Sequence, residues 1–170
     1  NLEIPSDFPT RSAYFTHVVD RMTPGSFDRN KILITVHPEH QDIWFWTIPF
    51  SNGKCSLGVV AKAEHLERYS GNDIERLQAL VAETPTLAKV LNNAIWDTPA
   101  RKLSGYSANV TSLCGKGYAL LGNAGEFLDP VFSSGVTIAV KPASLAAAAI
   151  AREYAGETVD WQIDYAAPLK

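Results

Sequence analysis

The sequence has few of the features that mark several classes of protein. Its 170 residues include only two cysteines, Cys55 and Cys114, which are too few for a disulfide framework. The 15 basic residues are outnumbered by 18 acidic ones and are not clustered, so no nucleic-acid partner is expected. The longest strongly apolar stretch, Ala143 to Ala151, is too short to span a bilayer, so no stable membrane insertion is expected. No signal peptide is visible, and a cytoplasmic location is therefore predicted.

A further absence concerns dinucleotide binding. The glycine fingerprint Gly-x-Gly-x-x-Gly, which turns the chain around a pyrophosphate at a helix start, occurs nowhere. The chain also begins with Asn and ends inside an unfinished pattern, so we expect a piece of a longer protein. With 46% apolar and 19% charged residues, the composition is that of a globular domain.

The residues that are present predict an α+β fold. Residues 11–61 contain strand-like runs of β-branched and aromatic residues, and Ser51-Asn52-Gly53 predicts a hairpin between two of them. Helical spacing of apolar residues predicts a helix from about Asp73 to Glu83 and another after Thr84-Pro85. Strands are then predicted over Arg101 to Val110 and Gly117 to Gly122. An Ala-rich helix from Ser134, interrupted by Pro142, follows.

One stretch carries most of the functional information: Gly122-Asn123-Ala124-Gly125-Glu126-Phe127-Leu128-Asp129-Pro130-Val131-Phe132-Ser133-Ser134-Gly135-Val136. It predicts an apolar strand end, a glycine-containing turn, a loop and a helix start. Glycines let a ligand approach the backbone closely, and free N–H groups at a helix start favour an anion or an electron-rich oxygen. The alternative is a purely local structure, in which a serine caps the helix after a tight turn.

A second stretch, Trp44-Phe45-Trp46-Thr47-Ile48-Pro49, predicts a strand in which Trp44, Trp46 and Ile48 share one face. Two tryptophans on one face either fill a core or form the wall of a pocket. Both interpretations stay open on the sequence alone.

Together these stretches resemble the flavin-dependent halogenases, and the similarity extends over roughly Leu2 to Ala155. The resemblance implies domains at 1–112 (substrate-side sheet and helices) and 113–170 (the last strand and helix of a glutathione-reductase-like FAD domain). It implies FAD as cofactor, reduced by a partner flavin reductase, with chloride as a candidate halide. The residues it places beside the flavin are Gly122, Asn123, Asp129, Pro130, Ser133, Ser134, Gly135 and Val136. Those it places at the substrate pocket are Trp44, Trp46 and Phe132.

The sequence departs from that family at two of these positions. Asn123 replaces the usual aspartate, so its contact with the flavin ribityl chain would carry no charge. Phe132 stands where halogenases of free tryptophan have a glutamate, which argues against free tryptophan as substrate. No catalytic residue is assigned. A metal site at His37-x-x-His40 lacks a third ligand, and a solvated turn is expected there instead. Helix capping is the expected role of Asp129.

The resemblance therefore implies an FAD-dependent oxidoreductase, of halogenase or monooxygenase type, acting on a small aromatic or carrier-protein-tethered substrate. Two alternatives stay open at this point. One is a flavoprotein similar to geranylgeranyl reductases that reduces a polyene. The other is a module without activity that binds a lipid or a partner.

Overall fold

The computed structural model describes residues 2–169, which form two compact units. One unit comprises residues 9–106, and the other comprises residues 2–8 together with 107–169. This division differs from the boundary expected at 112–113. The reason is a strand pair: β1 (Glu3–Pro5) pairs antiparallel with β7 (Ala108–Val110), which joins the start of the chain to its last third.

The unit of residues 9–106 contains a five-stranded antiparallel sheet. Its strands are β2 (Arg11–Val19), β3 (Leu33–Val36), β4 (Trp44–Pro49), β5 (Lys54–Lys62) and β6 (Arg101–Ser104). They are arranged in the order β3-β4-β5-β2-β6. The predicted strands and the turn at residues 51–53 are confirmed. The strand predicted over Arg101 to Val110 is wrong as one element, because Gly105 has a φ of 61° and separates β6 from β7.

Three helices cover one face of this sheet: α1 (Ala63–Glu67), α2 (Asp73–Ala82) and α3 (Pro85–Val90). The side chain of Asn72 caps α2, and Glu75 completes a capping box by bonding back to the Asn72 N–H. The helices pack on alternate residues of the strands, and the fully buried members of this core include Tyr14, Phe45, Leu57, Val59, Leu66, Leu77 and Leu87. The other face of the sheet lies outside this core.

The second unit is dominated by one long helix, α4 (Gly135–Tyr154). Before it come a small hairpin of β8 (Cys114–Gly115) and β9 (Tyr118–Ala119), a 3-10 turn at Gly122–Ala124 and another at Pro130–Phe132. The strand predicted over Gly117 to Gly122 is therefore much shorter than expected. After α4, a π-helical turn at Gln162–Ala166 and a 3-10 turn at Ala167–Leu169 follow. The unit has its own small core, centred on Cys114, Ala146 and Tyr165.

Helix α4 continues through Pro142 without ending, so the proline neither starts nor stops it. By length and composition alone, this helix of 20 residues is long and apolar enough to cross a membrane. Of its most apolar 18-residue stretch, 17% is buried. The expectation that the chain does not insert stably into a membrane was based on the shorter stretch Ala143 to Ala151. Length and composition do not distinguish a membrane helix from a helix that packs on protein.

The predicted α+β class is confirmed.

Candidate functional site

The side of the five-stranded sheet that faces away from the helices is largely apolar. Strand register places Arg101, Phe15, Gly58, Trp46 and Ile34 in one row across all five strands. Residues directly opposite each other in an antiparallel pair have their side chains on the same face. We refer to the part of this face formed by Phe15, Ile34, Trp44, Trp46, Ile48, Ser56 and Gly58 as the aromatic platform.

The indole ring of Trp46 lies flat against the sheet at the centre of the platform. The space it uses exists because Gly58, its cross-strand partner, has no side chain: a Cβ there would lie 2.2 Å from Trp46 Cζ2. The indole Nε1–H donates a hydrogen bond of 3.0 Å to Ser56 Oγ. The absence of a side chain at Gly58 gives the ring its space, and the hydrogen bond to Ser56 Oγ fixes its edge.

Neighbouring aromatic rings extend this surface. The ring centroids of Phe15 and Trp46 are 6.3 Å apart, and those of Trp44 and Trp46 are 6.0 Å apart. Trp44 is 6% exposed, and within residues 2–169 its buried Nε1 has no hydrogen-bond partner. Ile34 at the edge strand is 37% exposed. The platform is thus an accessible, mostly apolar surface that fits the flat face of a ring.

The shared face predicted for Trp44, Trp46 and Ile48 is confirmed by strand alternation. Phe45, between the two tryptophans, is fully buried in the core under the helices. Neither Trp44 nor Trp46 belongs to that core. Their role as a pocket wall stays a prediction; Trp46 is partly exposed, whereas Trp44 is buried.

A cavity of about 250 Å³ adjoins the platform beside Phe15. Its lining consists of Phe15, Thr16, His17 and Arg101 together with the turn at Thr98 and Pro99. Strand β2 runs to Val19, but β6 pairs only with its residues 12–15. The cavity lies where β2 continues beyond the end of β6. His17 packs edge-on against Phe50 at a ring distance of 5.4 Å.

The glycine-rich motif lies in the other unit. Asn123 occupies the middle of the 3-10 turn Gly122–Ala124, and its side chain is exposed. Gly122 has a φ of 55°, a backbone conformation that favours glycine. Gly122, Gly125, Leu128, Thr137 and Ile138 are among the residues that line a mainly apolar cavity of about 230 Å³. Of the eight residues predicted to lie beside the flavin, all of them in the described part of the chain, Gly122 lines this cavity and the other seven do not.

The end of the motif forms the start of α4. Ser133 has a φ of 54°, which turns the chain sharply before the helix. Ser134 occupies the N-cap position, but its side chain makes no capping hydrogen bond. The first N–H groups of a helix have no carbonyl within it to bond, so those of Gly135 and Val136 can bind another group. A Cβ on Gly135 would meet no atom within 4 Å, and Val136 is 74% exposed.

Two further predictions about this stretch can be checked. The capping role expected of Asp129 is wrong, because this residue precedes the turn Pro130–Phe132 without a side-chain capping bond. Phe132 is 90% exposed, so within the chain it covers no pocket. The cofactor contacts of the motif residues stay predictions.

The solvated turn expected around His37 is also wrong for that residue, which is only 3% exposed. Its Nδ1 accepts hydrogen bonds from the N–H groups of Glu39 and His40, and its Nε2 lies 3.4 Å from a carboxylate oxygen of Glu83. These contacts hold the loop between β3 and β4 against α2. Within residues 2–169, no three His, Cys, Asp or Glu side chains are grouped to bind a metal.

Sequence reasoning missed three residues at the platform and at the cavity beside it: Gly58, His17 and Arg101. A glycine inside a strand, as in Lys54–Lys62, is a signal of close approach by another group. Strand register, which was needed to pair Gly58 with Trp46 and Arg101 with Phe15, comes only from the structure.

The chain is similar to several known proteins, although no family model matches it. It is 31% identical over 134 residues to a flavin-dependent halogenase of Penicillium aethiopicum, a match over 75% of this chain and 25% of that protein. It is 32% identical over 106 residues to a 1H-pyrrole-2-carbonyl-[peptidyl-carrier protein] chlorinase of Pseudomonas fluorescens, a match over 61% of this chain and 23% of that protein. The chain thus spans about a quarter of the curated relatives that it matches.

Among solved structures, a flavoprotein/dehydrogenase from Cytophaga hutchinsonii matches 99% of this chain and 40% of its own length. The sequence identity is 35% and the TM-score is 0.87. The agreement in sequence and in fold shows that this chain belongs to the family of flavin-dependent halogenases and related flavoproteins.

Proposed function

We propose that this chain supplies the substrate-side sheet and the flavin-facing helix start of an FAD-dependent oxidoreductase of halogenase or monooxygenase type. The substrate is an aromatic ring, either free or tethered to a carrier protein. The observation that carries the proposal is the aromatic platform, on which Trp46 lies flat over Gly58. A surface of this kind binds planar apolar ligands through ring contacts and burial of apolar area.

The motif residues fit the flavin that the family implies. Helix α4 begins with accessible N–H groups at Gly135 and Val136, and no atom within 4 Å of a Cβ at Gly135 would obstruct a ring edge. The exposed Asn123 amide can donate to or accept from a ribityl hydroxyl. Pro130, Ser133 and Ser134 would line the ring, and Asp129 would lie nearby. When bound and reduced by a flavin reductase, FAD would supply the oxygen chemistry, with chloride as the halide.

This chain's own part in the reaction is to bind and to exclude water. The platform would hold the substrate ring by one face, and the tryptophans would replace water on that face. Carrier tethering is supported by the similarity to the pyrrole-carbonyl carrier-protein chlorinase. A second candidate, a flavoprotein dehydrogenase or reductase without halide, is supported by the likeness to the Cytophaga hutchinsonii flavoprotein/dehydrogenase.

The platform can be tested with neutral aromatic probes. We expect phenylacetamide and pyrrole-2-carboxamide to bind the 170-residue chain in ligand-observed NMR titrations, and Trp46→Ala to weaken both at least about fivefold, as loss of a ring contact predicts. Tyr154→Ala is the matched control, because Tyr154 is an aromatic residue that is 90% exposed in the other unit. Failure of both probes to bind, or equal losses in the two variants, would contradict the proposal.

A further inference from the structure

Two basic side chains border the platform at the same edge. Arg101 is the cross-strand partner of Phe15, and His17 follows Phe15 by two residues on the same face of β2. Both residues are exposed, and both are among those that line the cavity of about 250 Å³ beside Phe15. This edge therefore combines hydrogen-bond donors with the end of an aromatic surface.

The surroundings leave these donors available. Among the described residues that line the cavity, none is acidic. Asp97, just before the lining residue Thr98, is paired with Lys54 at 3.4 Å and accepts a hydrogen bond from Thr98 Oγ1. Within residues 2–169, Arg101 has no carboxylate within ion-pair distance, whereas its neighbour Lys102 lies 3.9 Å from Glu67 on the opposite face of the sheet.

We infer that the substrate of the platform carries an anionic group, a carboxylate on a short arm, which Arg101 and His17 bind while the ring lies on Phe15 and Trp46. The inference rests on the proposed function, since it names the chemistry of the ligand that the platform holds. Adjacent strands are about 4.8 Å apart, so a donor on β6 reaches an anion only a few bonds away from a ring over Phe15. A guanidinium binds a carboxylate through two parallel N–H···O bonds.

The test compares two ligands of nearly the same shape, the anion phenylacetate and the neutral phenylacetamide, by ligand-observed NMR titration of the 170-residue chain. We expect phenylacetate to bind about two- to fivefold more tightly, the ratio that an exposed ion pair provides. Arg101→Gln should remove this preference, with a larger loss of affinity for phenylacetate than for phenylacetamide. The control, Lys102→Gln, should preserve the preference, because Lys102 points to the other face over the Tyr14 ring.

The outcomes separate this inference from the proposed function. Equal binding of the two ligands to the unmodified chain, or a preference that survives Arg101→Gln, overturns the anionic substrate and leaves the aromatic platform intact. If neither ligand binds, the platform itself fails and the inference fails with it. A preference lost equally in Lys102→Gln would indicate general charge attraction and would also overturn it.

Discussion

Trp46 and Gly58 form a cross-strand pair in which the indole ring occupies the space of the missing side chain, so that a Cβ on Gly58 would lie within 2.2–2.6 Å of three ring atoms. Ring carbons are not the flexible end of a side chain, so the whole indole must move to admit a methyl group. This pair brings the indole close to the backbone of β5, and it makes the platform sensitive to one added carbon.

The first prediction concerns Gly58→Ala. Replacing a strand glycine normally gains up to about 1 kcal/mol, but the overpacking against Trp46 costs about 1–3 kcal/mol and outweighs that gain. We expect a lower free energy of unfolding in urea and a shifted tryptophan fluorescence maximum. Gly135→Ala is the control, since no atom lies within 4 Å of its Cβ position. A stabilised Gly58→Ala variant would contradict the packing described.

The second prediction contrasts two adjacent aromatic residues of β4. Phe45 is fully buried in the core, so Phe45→Ala should destabilise the chain by about 3–5 kcal/mol. Trp46 lies on the platform and is partly exposed, so Trp46→Ala should cost only about 1–2 kcal/mol by loss of buried apolar area. Thermal and urea unfolding of both variants measure the difference. Equal losses of unfolding free energy in the two variants would indicate that Trp46 fills the core.

The third prediction concerns pH. The hydroxyl of Tyr69 donates to Glu83 at 2.5 Å, and this hydrogen bond, with His37 and Arg68 nearby, holds the pKa of Glu83 below its ordinary value of 4.5. A carboxyl group whose pKa is lowered by folding stabilises the fold above its unfolded pKa, and that stabilisation is lost as pH falls through the folded pKa. Glu83 is about half exposed, so the contribution is below about 1 kcal/mol.

Glu83→Gln should therefore lower the unfolding free energy slightly at pH 7, and this difference should decrease as the pH falls through the lowered pKa of Glu83. Urea unfolding at pH 7, 5 and 3 measures this. Glu39→Gln, on the exposed loop after His37, is the control for removal of a surface carboxylate. A Glu83→Gln difference of the same size at all three pH values would indicate lost packing instead of lost charge.

The fourth prediction concerns the two thiols. Burial raises the pKa of Cys55 to about 12, with the nearby Asp20 adding to the effect, and burial also raises the pKa of Cys114. The thiolate is the reactive form, and both side chains are buried, so neither should react with a thiol reagent in the folded chain at pH 8. Adding denaturant should release two reactive thiols. Rapid reaction of the folded chain would contradict this expectation.

The fifth prediction concerns flavin. Because the chain lacks Gly-x-Gly-x-x-Gly and spans about a quarter of its curated relatives, we expect it alone to bind FAD more weakly than micromolar. Calorimetric titration with FAD measures this. Micromolar or tighter binding would show that the start of α4 and the motif hold the cofactor without a pyrophosphate site.

Local signals in the sequence predicted most of the secondary structure. The alternation of side chains along a strand placed Trp44, Trp46 and Ile48 on one face, and Asn-Gly placed the turn before β5, because strand period and turn chemistry depend on neighbouring residues only. Helix α2 was predicted close to its observed position for the same reason. The two functional motifs were recognised as continuous stretches.

Tertiary structure decided everything that depends on residues far apart in the chain. Which face of the sheet the helices cover, the pairing of Gly58 with Trp46, and the meeting of Arg101 with Phe15 all follow from strand register, which no local pattern specifies. The burial of His37 follows from its contact with Glu83, 46 residues away. The residue types that can form a platform were readable in the sequence, but the platform exists only because long-range pairing and packing place them side by side.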